Sequence, residues 1–183
     1  MNITHEFEVS RPVDTVWNFF QDVASVADCL PGAELLEDKG EGVYVGKVSV
    51  KLGPLSATFE GEATVTPDHA AKTGLIDGKG VDRRGGSRGQ VKVTYALVPS
   101  PAGTAVKIDA DVTLSGAAAQ FGRTGLINEM STRLISELVQ CVEGKLAATT
   151  VEEAQEIKAA DVKGLSLFFQ SLLAWFKRLF GKK

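Results

Sequence analysis

Histidine and cysteine are scarce in this 183-residue chain, which has two of each: His5, His69, Cys29 and Cys141. The cysteines lack the C-x-x-C spacing of a zinc or redox site. They read as two buried thiols left unpaired in a reducing compartment. With so few partners no Ser-His-Asp, Cys-His or metal-ligand constellation can be assembled, so no catalytic residue and no metal ligand is assigned. The opening segment MNITHEFEVSRP has neither a basic n-region nor an apolar h-region. A secretory leader is therefore not expected, and the cytoplasm is the expected compartment. The glycine-rich stretch GLIDGKGVDRRGGSRG (Gly74–Gly89) lacks the order of a phosphate loop and the strand-to-helix context of a dinucleotide site. It is expected to form bulges, kinks or a mobile rim loop.

Net cationic charge is also missing. The chain carries −3 overall, and the distribution is uneven. From Lys163 onward there are five cations and no acid, so residues 1–162 hold fifteen cations against all twenty-three acids, a net of −8. An acidic body argues against nucleic acid as its partner.

Ile3–Val9 alternates apolar and polar residues, as a half-buried strand does. Pro12 suits the first turn of a helix, and Val13, Val16, Trp17 and Phe20 follow at helical spacing. A second short helix is expected over Val23–Cys29, stopped by Pro31-Gly32. Strands then follow over Val43–Leu52, Leu55–Thr66, Val91–Leu97 and Val106–Leu114, the last two joined by a turn at Pro99–Gly103. Their alternation implies an antiparallel sheet with one face on a core and one in water. From Ala118 to Ala147 the period becomes helical, with Leu126, Met130, Leu134, Leu138 and Cys141 forming an apolar stripe. The order is strand, two short helices, about six strands and one long helix. Its compact solution is an α+β fold: a curved antiparallel sheet wrapped around the long C-terminal helix, with an apolar cavity between them.

That order resembles the START-like superfamily, also called SRPBCC or Bet v 1-like, with its helix-grip fold. In detail the chain resembles the carbon monoxide dehydrogenase G-subunit family. The residues that carry the likeness are Pro31-Gly-Ala-Glu34, Val45-Gly-Lys-Val-Ser-Val-Lys-Leu-Gly-Pro54, Phe59-Glu-Gly61, Gly78-Lys-Gly80 and Ser115-Gly-Ala-Ala-Ala-Gln-Phe-Gly122, and the match covers residues 1–147. The resemblance implies a non-catalytic accessory protein for a molybdenum-containing carbon monoxide dehydrogenase or a related hydroxylase, linked to bringing that enzyme to the membrane for electron transfer. With it, the expected non-covalent ligand is an isoprenoid quinone, menaquinone or ubiquinone, drawn from the bilayer. Alternation and the helical stripe put Phe7, Phe59, Val93, Tyr95, Ile108, Leu126, Met130 and Leu134 forward as cavity lining for such an apolar small molecule.

The remaining residues divide into a linker over 148–164 and a helix over 165–183. At 100° per residue Leu165, Phe168, Phe169, Leu172, Leu173, Trp175, Phe176, Leu179 and Phe180 share an arc of about 160°. The polar side carries Lys177 and Arg178, with Lys182 and Lys183 beyond. The sixteen residues Leu165–Phe180 reach roughly 24 Å, too short to span a bilayer of ~30 Å hydrocarbon, so the helix is expected to lie in the membrane interface. The expected location is cytoplasmic, peripheral on the inner face of the cell membrane.

Three readings compete. The first is the quinone-binding adaptor. The second is a ligand-free recruitment or maturation factor for the dehydrogenase. The third is an enzyme, because START-like folds also host cyclases and hydrolases. His5, on the apolar side of its strand, is read as satisfied by the protein, and His69 as a turn residue. Glu60, Glu62, Asp109 and Asp111 are read as a solvated strand face, and Asp82-Arg83-Arg84 as an exposed loop.

Overall fold

The computed structural model describes residues 1–52, 55–123, 126–148 and 151–159. Strand β1 (Asn2–Val9) leads into helices α1 (Val13–Gln21) and α2 (Val23–Asp28). Six strands follow: β2 (Ala33–Gly40), β3 (Val43–Leu52), β4 (Leu55–Asp68), β5 (Thr73–Asp82), β6 (Ser87–Ser100) and β7 (Gly103–Ser115). A 3-10 helix (Gly116–Arg123), helix α3 (Leu126–Ala147) and a short α4 (Val151–Glu156) complete the described chain. All seven strands form one antiparallel sheet in the order β1-β7-β6-β5-β4-β3-β2. The helix-gripping sheet expected from the pattern is present.

The core sits at one end. Val9, Val16, Val106 and Val142 are fully buried, with Trp17, Leu97, Leu138 and Tyr95 nearly so. Removing such side chains from water contributes about 1.5–3 kcal/mol each. Thr104, also fully buried, donates its hydroxyl to the carbonyl of Arg11 at 2.7 Å and so ties the β6–β7 turn to the β1–α1 corner. α1 has no side-chain cap at Pro12, but at the start of α2 the Asp22 carboxylate accepts from the backbone N–H of Ser25 at 3.1 Å. Among the described residues no helix is long and apolar enough to cross a membrane.

Four expectations are corrected. The glycine-rich stretch is not a rim loop. Most of it is strand, with only residues 83–86 in a turn, because neighbouring side chains and backbone occupy the space a Cβ would need. The long helix does not begin at Ala118, since residues 116–123 form a 3-10 helix and α3 is 22 residues long. The glycines at 116 and 122 weaken an α-helix there, and the Ala118 N–H is held by the Ser87 hydroxyl at 3.0 Å. Asp82 is not exposed. It is buried, and its carboxylate accepts the N–H groups of Arg84 at 3.1 Å and Gly85 at 3.0 Å. Finally, the cysteines are not free thiols: Cys29 and Cys141 form a disulfide. α2 and α3 bring their Cα atoms to 5.3 Å, within bonding reach, across 112 residues of sequence that carry no local signal of the approach.

Candidate functional site: the inner face of the sheet

The ladder register assigns every strand residue to a face, because side chains directly opposite one another share it. Moving from the packed end toward the opposite end, the inner face reads as rows. Phe7, Val106 and Leu97 form one row. His5, Ile108, Tyr95 and Gly74 form the next, followed by Ile3, Ala110, Val93, Ile76 and Val65. Beyond these lie Val112, Val91, Gly78 and Ala63, and then Leu114, Gly89, Gly80, Gly61 and Gly46. Phe59 and Val48 stand beside that last row.

Burial falls along these rows and rises again past the last of them, where the inner-face residues Ser87, Asp82 and Ala57 are buried. Val106 is fully buried, and Leu97 and Tyr95 are nearly so. Val93, Val91, Ile108, Ala110, Val112, Leu114 and Phe59 are only half-buried. Helix α3 shows the same gradient, with Leu138, Cys141 and Val142 buried but Met130 and Leu134 half-buried. The sheet therefore presents an apolar inner face whose middle rows its own side chains only half bury.

Four glycines aligned across four strands lie in this half-buried part. Gly46 faces Gly61, Gly61 faces Gly80, and Gly80 faces Gly89. A Cβ on Gly61 would run into the Lys79 carbonyl and stand 2.6 Å from the Gly80 Cα, so the strands approach too closely there for any side chain. Phe59 lies over the other end of the row, within 3.5 Å of where a Gly89 Cβ would sit. This row was invisible as a site in the linear sequence. Its signal, glycines at 46, 61, 80 and 89, means something only once the strands are in register.

Polar groups on the inner face are few. His5 Nε2 and Ser131 Oγ are 2.9 Å apart, joining β1 to α3. Ser131 already donates its one hydroxyl proton to the Asn128 carbonyl at 2.9 Å. Nε2–H is then the donor to Ser131. His69 lies away from this face, in the turn after β4, where its Nδ1 accepts from Trp17 Nε1 at 3.3 Å. Tyr95 is pushed above its ordinary pKa by burial, with a hydrogen bond to Gln21 acting in the opposite direction. On the outer face Lys39 holds Glu62 below the ordinary carboxylate range through a 2.8 Å hydrogen bond and its charge. Asp109 accepts from Asn2 at 2.8 Å and Asp111 pairs with the N-terminal amine at 3.4 Å, as a solvated strand face would have it.

Of the expected lining residues, Phe7, Phe59, Val93, Ile108, Met130 and Leu134 are half-buried, and Tyr95 is buried in the core. The side chain of Leu126 lies outside the described residues, as do Leu165 to Lys183 and their expected membrane contacts. A surface groove of about 410 Å³ lies across the opposite, outer face, bordered by Thr4, Thr66, Leu75, Thr94, Lys107 and Asp109. Tyr95 and Ile108 also border it. Among the described residues no group of three or more His, Cys, Asp or Glu side chains could hold a metal ion.

A seven-stranded antiparallel sheet closed by a C-terminal helix is the START-like, Bet v 1-like fold, and solved structures share it. A conserved protein from Geobacillus kaustophilus superposes with a TM-score of 0.71 at 18% identity, covering 80% of this chain and 95% of its own. A Thermus thermophilus protein gives 0.60 at 14% identity, over 82% and 100%. The Zhui aromatase/cyclase from a Streptomyces species gives 0.54 at 18% identity, over 81% and 96%. At these identities the likeness is one of fold. Residues 6–147 match the family described as the G subunit of carbon monoxide dehydrogenase (CoxG), and the chain belongs to that family. No curated protein sequence matches it.

Proposed function

We propose that this protein is a non-catalytic accessory protein that binds an isoprenoid quinone in its inner trough and couples carbon monoxide dehydrogenase to the membrane. One observation carries the ligand reading. The inner face is apolar, yet Val91, Val93, Val112, Phe59 and Met130 remain accessible where a folded chain would ordinarily bury them. A glycine floor flanked by Phe59 suits a flat, methyl-bearing chain, because backbone rather than side chains sets its surface. The His5–Ser131 pair supplies a polar anchor on that face. Family membership supports the dehydrogenase as partner. The basic, aromatic segment 165–183 supports a peripheral place on the inner face of the cell membrane. When bound, the quinone would supply the two-electron acceptor, and the protein's part is to hold and present it.

The test is organic extraction of full-length protein purified without detergent, followed by mass spectrometry. A stoichiometric isoprenoid quinone is expected, with occupancy lowered in Met130→Trp, which intrudes on the trough. An empty extract overturns the ligand reading in favour of a ligand-free tether.

A further inference from the structure

Charge is not spread evenly over the described body. At the packed end the turns and short helices expose Asp14, Asp22, Glu41 and Asp68. There Lys72 is held at 2.8 Å by Asp14 and lies over the Trp17 ring. At the opposite end the β5–β6 turn exposes Arg83 and Arg84, with Arg88 beside them on β6. None of the three forms an ion pair among the described residues. The acid in their midst, Asp82, is buried and spent on the backbone of the turn. Ser87, also buried, fastens the same turn to the 3-10 helix. The turn is thus built rigidly with its arginines outward. Val81, between Arg88 and the exposed Glu60 in the ladder, is 42% exposed.

We infer that this arginine rim seats the β5–β6 end of the sheet on an anionic lipid surface. An anionic leaflet attracts the rim and repels the acidic packed end, so the two together turn the β5–β6 turn toward the bilayer. Exposed Val81 beside the arginines gives the mixture of cation and apolar side chain that the headgroup boundary accepts. The contact is made by the body and is separate from any contact of segment 165–183. Its purpose, passage of an apolar ligand between bilayer and trough, rests on the proposed function, whereas the contact itself does not.

The experiment uses the full chain and two vesicle types at low salt: phosphatidylcholine alone, and an equal mixture with phosphatidylglycerol. Three cations near the surface are worth roughly a 10- to 100-fold difference in partitioning at about 1 kcal/mol each, discounted for incomplete approach. The triple variant Arg83→Gln, Arg84→Gln, Arg88→Gln is expected to lose that factor on the mixed vesicles and nothing on neutral ones. The corresponding Arg→Lys triple variant, which keeps the charge, is expected to retain binding. In the unmodified protein mixed vesicles should slow amide exchange in residues 83–89 but not in the turn at 69–72. Unchanged partitioning of the Gln variant, or protection at 69–72 instead, overturns the proposal. So does a Gln variant that binds vesicles normally but no longer retains the dehydrogenase, because the rim would then dock a protein. No quinone enters the vesicle readout, so an empty organic extract would sink the ligand reading and leave the rim standing.

Discussion

Tyr95 is neutral in the folded core for a physical reason: ionising a buried phenol strands a charge away from water. Burial raises its pKa above the ordinary 10.0. Below that value the phenol is protonated in both folded and unfolded chains and contributes no pH dependence. As pH rises past 10.0 the unfolded chain ionises first, so stability falls until the folded value is reached. Tyr95→Phe removes that route and the hydrogen bond to Gln21. Urea midpoints measured from neutral pH to about pH 11 should fall less steeply in the variant. An equal alkaline loss in both proteins would assign the effect elsewhere. Asp82 and His5 show the same lesson in milder form. A charge beside two arginines reads as solvent-facing in the linear sequence, but three backbone-level facts (burial and two N–H donors) put it inside the turn. His5 was legible as a histidine satisfied by the protein, although Ser131, its partner 126 residues away, was not.

At the scale of the element, the glycine row separates two kinds of glycine that look alike in sequence. Gly61 has neighbouring backbone where its Cβ would go, and backbone cannot swing aside. Gly61→Ala should therefore cost about 1–3 kcal/mol. A Cβ on Gly89 would come no nearer than 3.4 Å to its neighbours, Leu114 Cδ2 at 3.4 Å and the Phe59 ring at 3.5 Å, ordinary contact distances. Gly89→Ala should cost less than about 1 kcal/mol, since strand glycine carries an entropic penalty that alanine relieves. Denaturant midpoints with unchanged slopes would measure both. A tolerated Gly61→Ala would mean that the sheet is free to unbend there. Elements with strong alternation, β1, β3, β4, β6 and β7, could be read from the sequence because period two is a direct consequence of the pleat. β5 could not, because its inner positions are Gly74, Ile76, Gly78 and Gly80 and three of the four have no side chain to alternate.

At the scale of the whole molecule, the disulfide joins the end of α2 to α3 and closes a loop of more than a hundred residues. Helix α3 is held at the packed end by this bond, by Lys145 against Asp28 at 3.4 Å and by Ile157 packing on the core. The Met130 end has fewer such ties among the described residues. Replacing both cysteines, Cys29→Ser with Cys141→Ser, should lower stability by about 2–4 kcal/mol. Reductant should have the same effect on the unmodified protein, and alkylation under denaturing, non-reducing conditions should find no free thiol. Equal stability with and without reductant, together with two alkylated thiols, would return the cysteines to the unpaired state first expected of them.

The sequence by itself determined the class of fold, the order of its elements and the polarity of each strand, because alternation and helical period are local consequences of backbone geometry. It also determined the net charge of the body and the basic, aromatic character of residues 165–183. Only the tertiary structure decided what meets across the chain. It paired Cys29 with Cys141, set four glycines in one row, buried Asp82 and left the middle rows of the inner face half-buried. Each of those depends on strand register or helix docking, which bring together residues with no local information about one another.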